Sequence, residues 1–334
     1  MDELLGSPIP EEGQATCDDC AMQPAPGALP DASSVYFGAA KCCTFHPTLH
    51  NFLAGAALSD PGCEGRPALE RLLAARAGVT PLAIAAPPAY WLLYGASPGA
   101  FGRSEKLRCQ LYLDDGRCGV WQHRESTCAT WFCKHDRGAV GESFWSALRS
   151  LLAIVERGVA RHCMLELGIE DEALTALLSG SGELTAEELD GGVDDGRYRA
   201  LWGHFEGRER EFFASCAGIA AALRWPDVLA LAGSEGRALG QIARAAHARL
   251  GRTALPLVPL RLGKFQVATA SSESVRLVTY RAYDPIDVPP ALFAALRRFD
   301  GRPTAAVLAE IAAEERIDLR PEQVRTLADF EVLI

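Results

Sequence analysis

Between Cys109 and His135 the chain reads CQLYLDDGRCGVWQHRESTCATWFCKH, with four cysteines, two histidines and two tryptophans in 27 residues. A thiol near positive charge loses its proton more readily, and the thiolate is both the nucleophile and the metal ligand. Arg108, Arg117, Arg124 and Lys134 each stand within a few residues of one of these thiols. The segment has no helical period: Cys128 and Cys133 are five apart and would face different sides of a helix. Leu111 to Leu113 reads as a short strand and Asp114-Asp115-Gly116 as a turn, followed by an irregular, ligand-bearing loop.

Four more cysteines precede this stretch, so that eight fall into four pairs: Cys17/Cys20, Cys42/Cys43, Cys109/Cys118 and Cys128/Cys133. One tight turn at C-x-x-C spacing can aim two thiolates at one metal. Eight thiols suit two four-coordinate zinc sites, one [4Fe–4S] cluster with spare thiols, or two clusters. Cys42 and Cys43 are adjacent; in an extended segment they point to opposite faces and serve different metals, or only one of them ligates. His135 follows Cys133 by two residues and is positioned to complete a site. His46 and His50 have i, i+4 spacing, which puts two imidazoles on one helix face, although Pro47 starts a helix there and leaves His46 outside it. His123 is a further imidazole in the central stretch. Cys63, between Gly62 and Glu64, is either a spare thiol or an auxiliary ligand. Cys163 and Cys216 lie on apolar helices and read as small core residues. The expected metal ligands are thus the eight paired cysteines and His135. No GxSxG, P-loop or HExxH motif occurs, so the sequence names no catalytic residue and leaves open whether the chain is an enzyme.

Composition narrows the setting. The chain has 334 residues, 49% of them apolar, and a net charge of −10 without a basic run. That is long enough for two or three domains and argues against a dedicated nucleic-acid or anionic-membrane binder. No apolar stretch is long enough to span a membrane, and the acidic N-terminus does not read as a secretory signal. A cytoplasmic location is expected, where thiols stay reduced and eleven cysteines point to metal or redox chemistry.

The elements that must position the thiols follow from periodicity. Residues 1–16 read as a disordered lead, and 17–140 as a cysteine-rich metal-binding domain. In it, Leu49 to Leu58 and Pro67 to Ala77 read as helices, the second with Pro at its start and Gly78 after its end. Residues 80–104 read as an irregular connection and Gly138 to Gly141 as a linker. Residues 141–254 form a helical domain: a long helix over Ser143 to Leu167, short helices at 170–180 and 185–190, then Ala200 to Leu223 and Pro226 to Leu250. Residues 255–334 are a smaller module, with strands at Leu257 to Leu262, Phe265 to Ala270 and Val275 to Tyr283. Helices follow at Pro289 to Phe299, Thr304 to Glu315 and Glu322 to Phe330.

The cysteine order resembles that of the YkgJ-like proteins, described as zinc- or iron-chelating domains. Their pattern is CxxC, CC, a CPFL-like segment, DGxCxIY, an RP and a final Cys pair. Cys109-Gln-Leu stands for the CPFL part, Asp115-Gly116-Arg117-Cys118-Gly119-Val120-Trp121 for DGxCxIY, and His123-Arg124-Glu125 for the region of the RP. About twenty residues separate Cys20 from Cys42, where the family has a few. The resemblance covers residues 17–135 and implies a metal-chelating domain. The same cysteine pattern occurs in FliB-type flagellin lysine methylases, which bind an iron–sulfur cluster, but this chain shows no glycine-rich dinucleotide-type loop. Separately, LFAALRRFDGRPTAAVLAEIA is similar to PqqD-like peptide-recognition modules, and implies a winged-helix arrangement whose edge strand adds a partner peptide.

The expectation is a mainly α protein with an irregular cysteine-rich domain, a helical middle and a small C-terminal α+β winged-helix-like module. It holds iron–sulfur clusters or zinc through paired cysteines within a protein- or peptide-modifying system. The alternative is a non-catalytic zinc-stabilised scaffold whose C-terminal module binds a peptide or protein. Because residues 17–135 show little regular apolar pattern, their folding is expected to depend on the metal.

Overall fold

A computed structural model describes residues 2–13, 41–169, 185–252 and 259–334, and the single positions 175 and 254. The chain is mainly helical, with two small antiparallel sheets among the described residues. Its axis is the helix Gly138–Glu166. Phe144, Leu148, Leu151, Val155, Val159 and Cys163 recur along it at helical spacing and are all buried. The helices Glu209–Ala222, Trp225–Leu231 and Gly233–Leu250 pack around it.

The cysteine-bearing part is built onto this scaffold. The helix Asn51–Ser59 crosses Glu209–Ala222 so closely that a Cβ on Gly55 would lie 1.8 Å from the Phe213 carbonyl oxygen. Only glycine permits that approach. At the start of the same helix, buried Asn51 donates to the carbonyls of Pro81 at 3.0 Å and Ala160 at 2.9 Å, and its side-chain oxygen accepts the Phe52 N–H at 2.7 Å. One amide side chain therefore ties three segments together with its polar groups satisfied, as burial demands. The helix Arg66–Ala75 begins with Pro67 in its first turn and ends at Arg76, whose φ of 61° makes the left-handed cap. Strands β1 (Leu49–His50) and β2 (Ala83–Ile84) form a short antiparallel pair beside Asn51–Ser59.

In the C-terminal part, strands β3 (Gln266–Ala270), β4 (Val275–Val278) and β5 (Ile286–Val288) run antiparallel in sequence order. Val275 and Leu277 face inward, and Arg276 between them pairs with Asp287 across the sheet at 2.9 Å. The helices Pro290–Ala295, Thr304–Glu315 and Pro321–Asp329 close over the inner face. Arg137, just before the long helix, fixes this unit to the body: it donates to Asp329 at 2.5 and 2.9 Å and to the Leu250 carbonyl at 2.6 Å.

Several expectations need correction. Residues 2–13 do not form a disordered lead: Asp2–Leu5 is a helix turn with Leu4 in the core, and Glu12 accepts from Trp145 Nε1 at 2.5 Å and from the Asp136 N–H at 2.6 Å. The expected linker Gly138 to Gly141 is the first turn of the long helix. Gly138 takes φ 49° against Phe330, so the glycines serve close packing and not flexibility. Residues 80–104 contain a helix, Pro88–Ala96, which Pro88 opens. Ser126–Thr130 is a short helix, so Cys128 is helical. The helix expected over Ala200 to Leu223 is two, Asp195–Trp202 and Glu209–Ala222, broken at Gly203 with φ 52°. Pro226 to Leu250 is likewise split, at Gly233. Of the strand expected at Leu257 to Leu262, Arg261 and Leu262 make single bridges to Asp300 and Leu333. The expected boundary between a cysteine-rich and a helical domain falls inside one continuous core that runs from Leu4 through Leu49, Leu69 and Leu111 to Phe213 and Ala243.

No single helix among the described residues is long and apolar enough to cross a membrane.

Candidate metal centre

Cys17 and Cys20 lie outside the described residues. The other thiols come from four places. Cys42 and Cys43 occupy a turn in which Lys41 takes φ 51°. Cys63 sits in the turn between Asn51–Ser59 and Arg66–Ala75, which Asp60 shapes by accepting the Gly62 N–H at 2.8 Å.

Cys109 and Cys118 flank a tight hairpin rather than a regular strand. Leu113 N–H donates to the Arg117 carbonyl at 2.9 Å, and Gly119 N–H to the Leu111 carbonyl at 2.8 Å. Gly116 turns the chain at φ 88°. Arg117 clasps Glu64 through two 2.7 Å hydrogen bonds and Asp115 through one of 2.8 Å. All three are exposed, so the clasp orients more than it stabilises.

Cys128 belongs to Ser126–Thr130, whose N-cap is Glu125. That carboxylate accepts the N–H groups of Thr127 at 2.7 Å and Cys128 at 2.8 Å.

These segments meet. Cys109 N–H donates to the Cys43 carbonyl at 2.7 Å, and Gly65 N–H to the Gly119 carbonyl at 2.8 Å. The Cys63 thiol points at the same Gly119 carbonyl, 3.5 Å away. Burial raises the Cys118 thiol above its ordinary range, with Arg124 opposing and Cys42 and Cys63 adding to the rise. Burial pushes Cys109 up to about 12, with Cys118 contributing. Cys128 is raised by burial and by Glu125, then by Cys109 and Cys118. Cys42 is raised by its hydrogen bond with Cys43 and by burial. Six thiols thus share one neighbourhood, and the surroundings of Cys42, Cys63, Cys109, Cys118 and Cys128 favour the neutral thiol.

Backbone amides close to Cys63, Cys109 and Cys118 oppose the rise that burial causes at these three thiols. The Leu111 N–H donates to Cys109 Sγ at 3.4 Å. Directed N–H groups of this kind are what a metal-bound thiolate needs around it. Among the described residues, however, no three His, Cys, Asp or Glu side chains already surround a common point as an ion would require.

Cys133 and His135 face a different partner. The Cys133 thiol lies near enough to Tyr283 to raise its phenol. His135 is buried at 2% exposure. Its N–H donates to Asp284 at 3.0 Å, and its Nδ1 is 3.3 Å from the Tyr280 hydroxyl, which itself donates to Asp284. Burial, helped by Arg281, lowers this imidazole to about 4. The Arg281 guanidinium pairs with Glu142 and donates to the Phe132 carbonyl at 2.8 Å. The end of the cysteine-rich stretch is therefore clasped by the C-terminal part. The partner of His135 Nδ1 is thus a phenol, with Asp284 at 3.9 Å.

Behind Cys128 is a buried acid. Glu156 on the long helix accepts from the Ser126 hydroxyl at 2.8 Å, and burial pushes its carboxyl up to about 8. His50 Nδ1 is 3.8 Å from the same carboxyl, but burial and Arg157 lower His50 to about 4. The contact is between two uncharged groups and is not an ion pair. His123 meets the Cys63 turn through Asp60, with its Nε2 2.9 Å from that carboxylate.

Cys163 and Cys216 are fully buried between helices, as their apolar surroundings in the sequence imply. The membership of Cys63 was left open by spacing alone. Its signal is the phrase Gly62-Cys63-Glu64-Gly65, a thiol in a glycine turn that can approach another backbone. Tyr90 and Glu156 carried no such signal, since their positions depend on tertiary packing. No family model matches this chain, and comparison with curated proteins and with solved structures finds no match.

Proposed function

We propose that this chain is a thiolate metalloprotein, holding an iron–sulfur cluster or zinc in the neighbourhood of Cys42, Cys43, Cys63, Cys109, Cys118 and Cys128, with Cys17 and Cys20 completing the donor set. One observation carries the reading: thiols from four separated segments are gathered in one largely buried place, where Cys109 N–H meets the Cys43 carbonyl, the Cys63 thiol meets the Gly119 carbonyl and the Leu111 N–H donates to Cys109 Sγ. Simple core packing needs no such gathering. The donors are of the right kind, and a cation would displace the protons that Cys42, Cys63, Cys109, Cys118 and Cys128 hold more tightly than a free thiol does. Zinc would crosslink the segments; an iron–sulfur cluster would add one-electron chemistry. The YkgJ-like cysteine order supports the same class.

The C-terminal part supports a role for a protein or peptide partner in a modifying system. Strand β3 is exposed over its whole length and is an edge, with β4 on its one paired side. An edge strand is a template for strand addition, as the PqqD-like resemblance implies for a winged-helix module.

The test is anaerobic purification followed by metal analysis and visible spectroscopy. Iron with acid-labile sulfide and a coloured protein supports the cluster. Stoichiometric zinc in a colourless protein supports the scaffold. A chain that takes up neither, natively or on reconstitution, overturns the proposal.

A further inference from the structure

His46 stands three residues after Cys43 and is buried at 2% exposure. Its Nδ1 lies 3.0 Å from the Pro47 carbonyl oxygen. A carbonyl can only accept, so Nδ1 carries the proton and donates, and Nε2 is left as a bare lone pair. That Nε2 is buried and has no hydrogen-bond partner among the described residues. An unsatisfied buried acceptor costs on the order of 1–3 kcal/mol, which an ordinary core histidine avoids by pairing both nitrogens.

The surroundings join this imidazole to the thiols. His46 N–H donates to the Tyr90 hydroxyl at 2.8 Å, and that hydroxyl donates to the Thr44 carbonyl at 2.7 Å. The rings of His46 and Tyr90 meet edge to face at 6.0 Å. The Tyr90 phenol is in turn near enough to Cys109 and Cys128 to feel both thiols. Tyr90 therefore touches His46 and stands near two of the thiols, and Cys43 lies three residues before His46 in the chain. A protonated Nδ1 on a backbone carbonyl with a bare Nε2 is the arrangement that fixes a metal-binding histidine in its ligating tautomer.

We infer that His46 Nε2 is the nitrogen ligand of the metal held by the neighbouring thiols, which makes the centre a mixed sulfur–nitrogen site. The inference rests on the metalloprotein reading above and adds a residue outside the cysteine pairs. A nitrogen donor replaces one thiolate and makes the site less negative by one charge. It therefore suits a centre with little solvent to screen excess charge.

The experiment is X-ray absorption at the metal edge of the full chain, as purified anaerobically or reconstituted with zinc or with iron and sulfide, alongside His46→Ala and His46→Cys. A wild-type spectrum with a sulfur shell and imidazole scattering, the imidazole being lost in both variants, supports the inference. His46→Cys should keep its metal with an added sulfur, while His46→Ala should bind it on the order of 10- to 100-fold more weakly. A wild-type sulfur shell without imidazole overturns the His46 assignment and leaves the thiolate site standing. Imidazole scattering that survives in His46→Ala also overturns it, since another histidine then ligates. A wild-type chain that binds no metal overturns both readings.

Discussion

Gly65 and Gly119 meet backbone to backbone: the Gly65 N–H donates to the Gly119 carbonyl at 2.8 Å. A Cβ on Gly65 would lie 2.8 Å from the Gly119 carbonyl carbon, and one on Gly119 would lie 2.7 Å from Gly65 Cα. This contact puts the Cys63 turn against the Cys118 hairpin. Gly119→Ala should force the two apart, at a cost of about 1–3 kcal/mol. Urea unfolding would measure the cost, and metal stoichiometry would show whether the sulfurs still cooperate. A variant with unchanged stability and metal content would mean the contact is incidental.

Replacing Cys118 and Cys128 together with Ser should strip the metal. Because the segments that carry these thiols share the core of the helical scaffold, the loss should stay local. Limited proteolysis is expected to nick near the Leu111–Gly119 hairpin and Ser126–Thr130 while Asn51–Ser59 and Arg66–Ala75 remain protected. Wholesale digestion of residues 41–135 would restore the metal-dependent folding expected from sequence, despite the shared core.

Glu156 gives stability a defined pH dependence. Its carboxyl is raised from 4.5 to about 8 in the folded chain, so the folded state binds the proton more tightly than the unfolded state. Its contribution is complete below about pH 4.5, is lost between there and about pH 8, and amounts to a few kcal/mol at most. His50 has the opposite sign. It is lowered from 6.5 to about 4, so its contribution is present above pH 6.5 and is lost as pH falls toward 4. Glu156→Gln should remove the fall in stability between about pH 4.5 and 8 and leave the rise that His50 gives between about pH 4 and 6.5. Unfolding free energies of both proteins from pH 5 to 9 would show this; parallel profiles would sink it.

Arg137 holds the C-terminal part to the body through Asp329 and the Leu250 carbonyl. With the guanidinium removed, Asp329 stays largely buried with only Arg325, at 3.9 Å, beside it, so Arg137→Ala should cost on the order of 3 kcal/mol. Calorimetry should then show the unit of residues 260–334 melting apart from the rest. A single transition at an unchanged temperature would show that the apolar contacts suffice without it.

Much of the helical scaffold was legible in the sequence because its buried positions repeat at helical spacing, as Phe144, Leu148, Leu151 and Val155 do. The breaks at Gly203 and Gly233 were not, since glycine tolerates both helix and turn and packing decides between them. Ser126–Thr130 was hidden because one turn is too short to show a period, and its start depends on Glu125 acting as cap. The thiols were visible as types and spacing. That Cys63 joins them, and that His135 turns toward Tyr280 and Asp284, follows from contacts across long sequence separations that no local pattern encodes.

The short stretch from Cys128 to His135 belongs to two structures at once. Its first end stands among the thiols and its last is gripped by Asp284 and Tyr280. Arg281 seizes the Phe132 carbonyl between them, which leaves little slack. A cation that draws Cys128 inward must either find the geometry already compatible with that grip or pull against it. If it pulls, the free energy of loading the centre and that of docking the C-terminal part are not independent. Each then senses the other by an equal and reciprocal amount. An event at the exposed edge of β3 would in that case be readable as a change in metal affinity, with these few residues as the transmission.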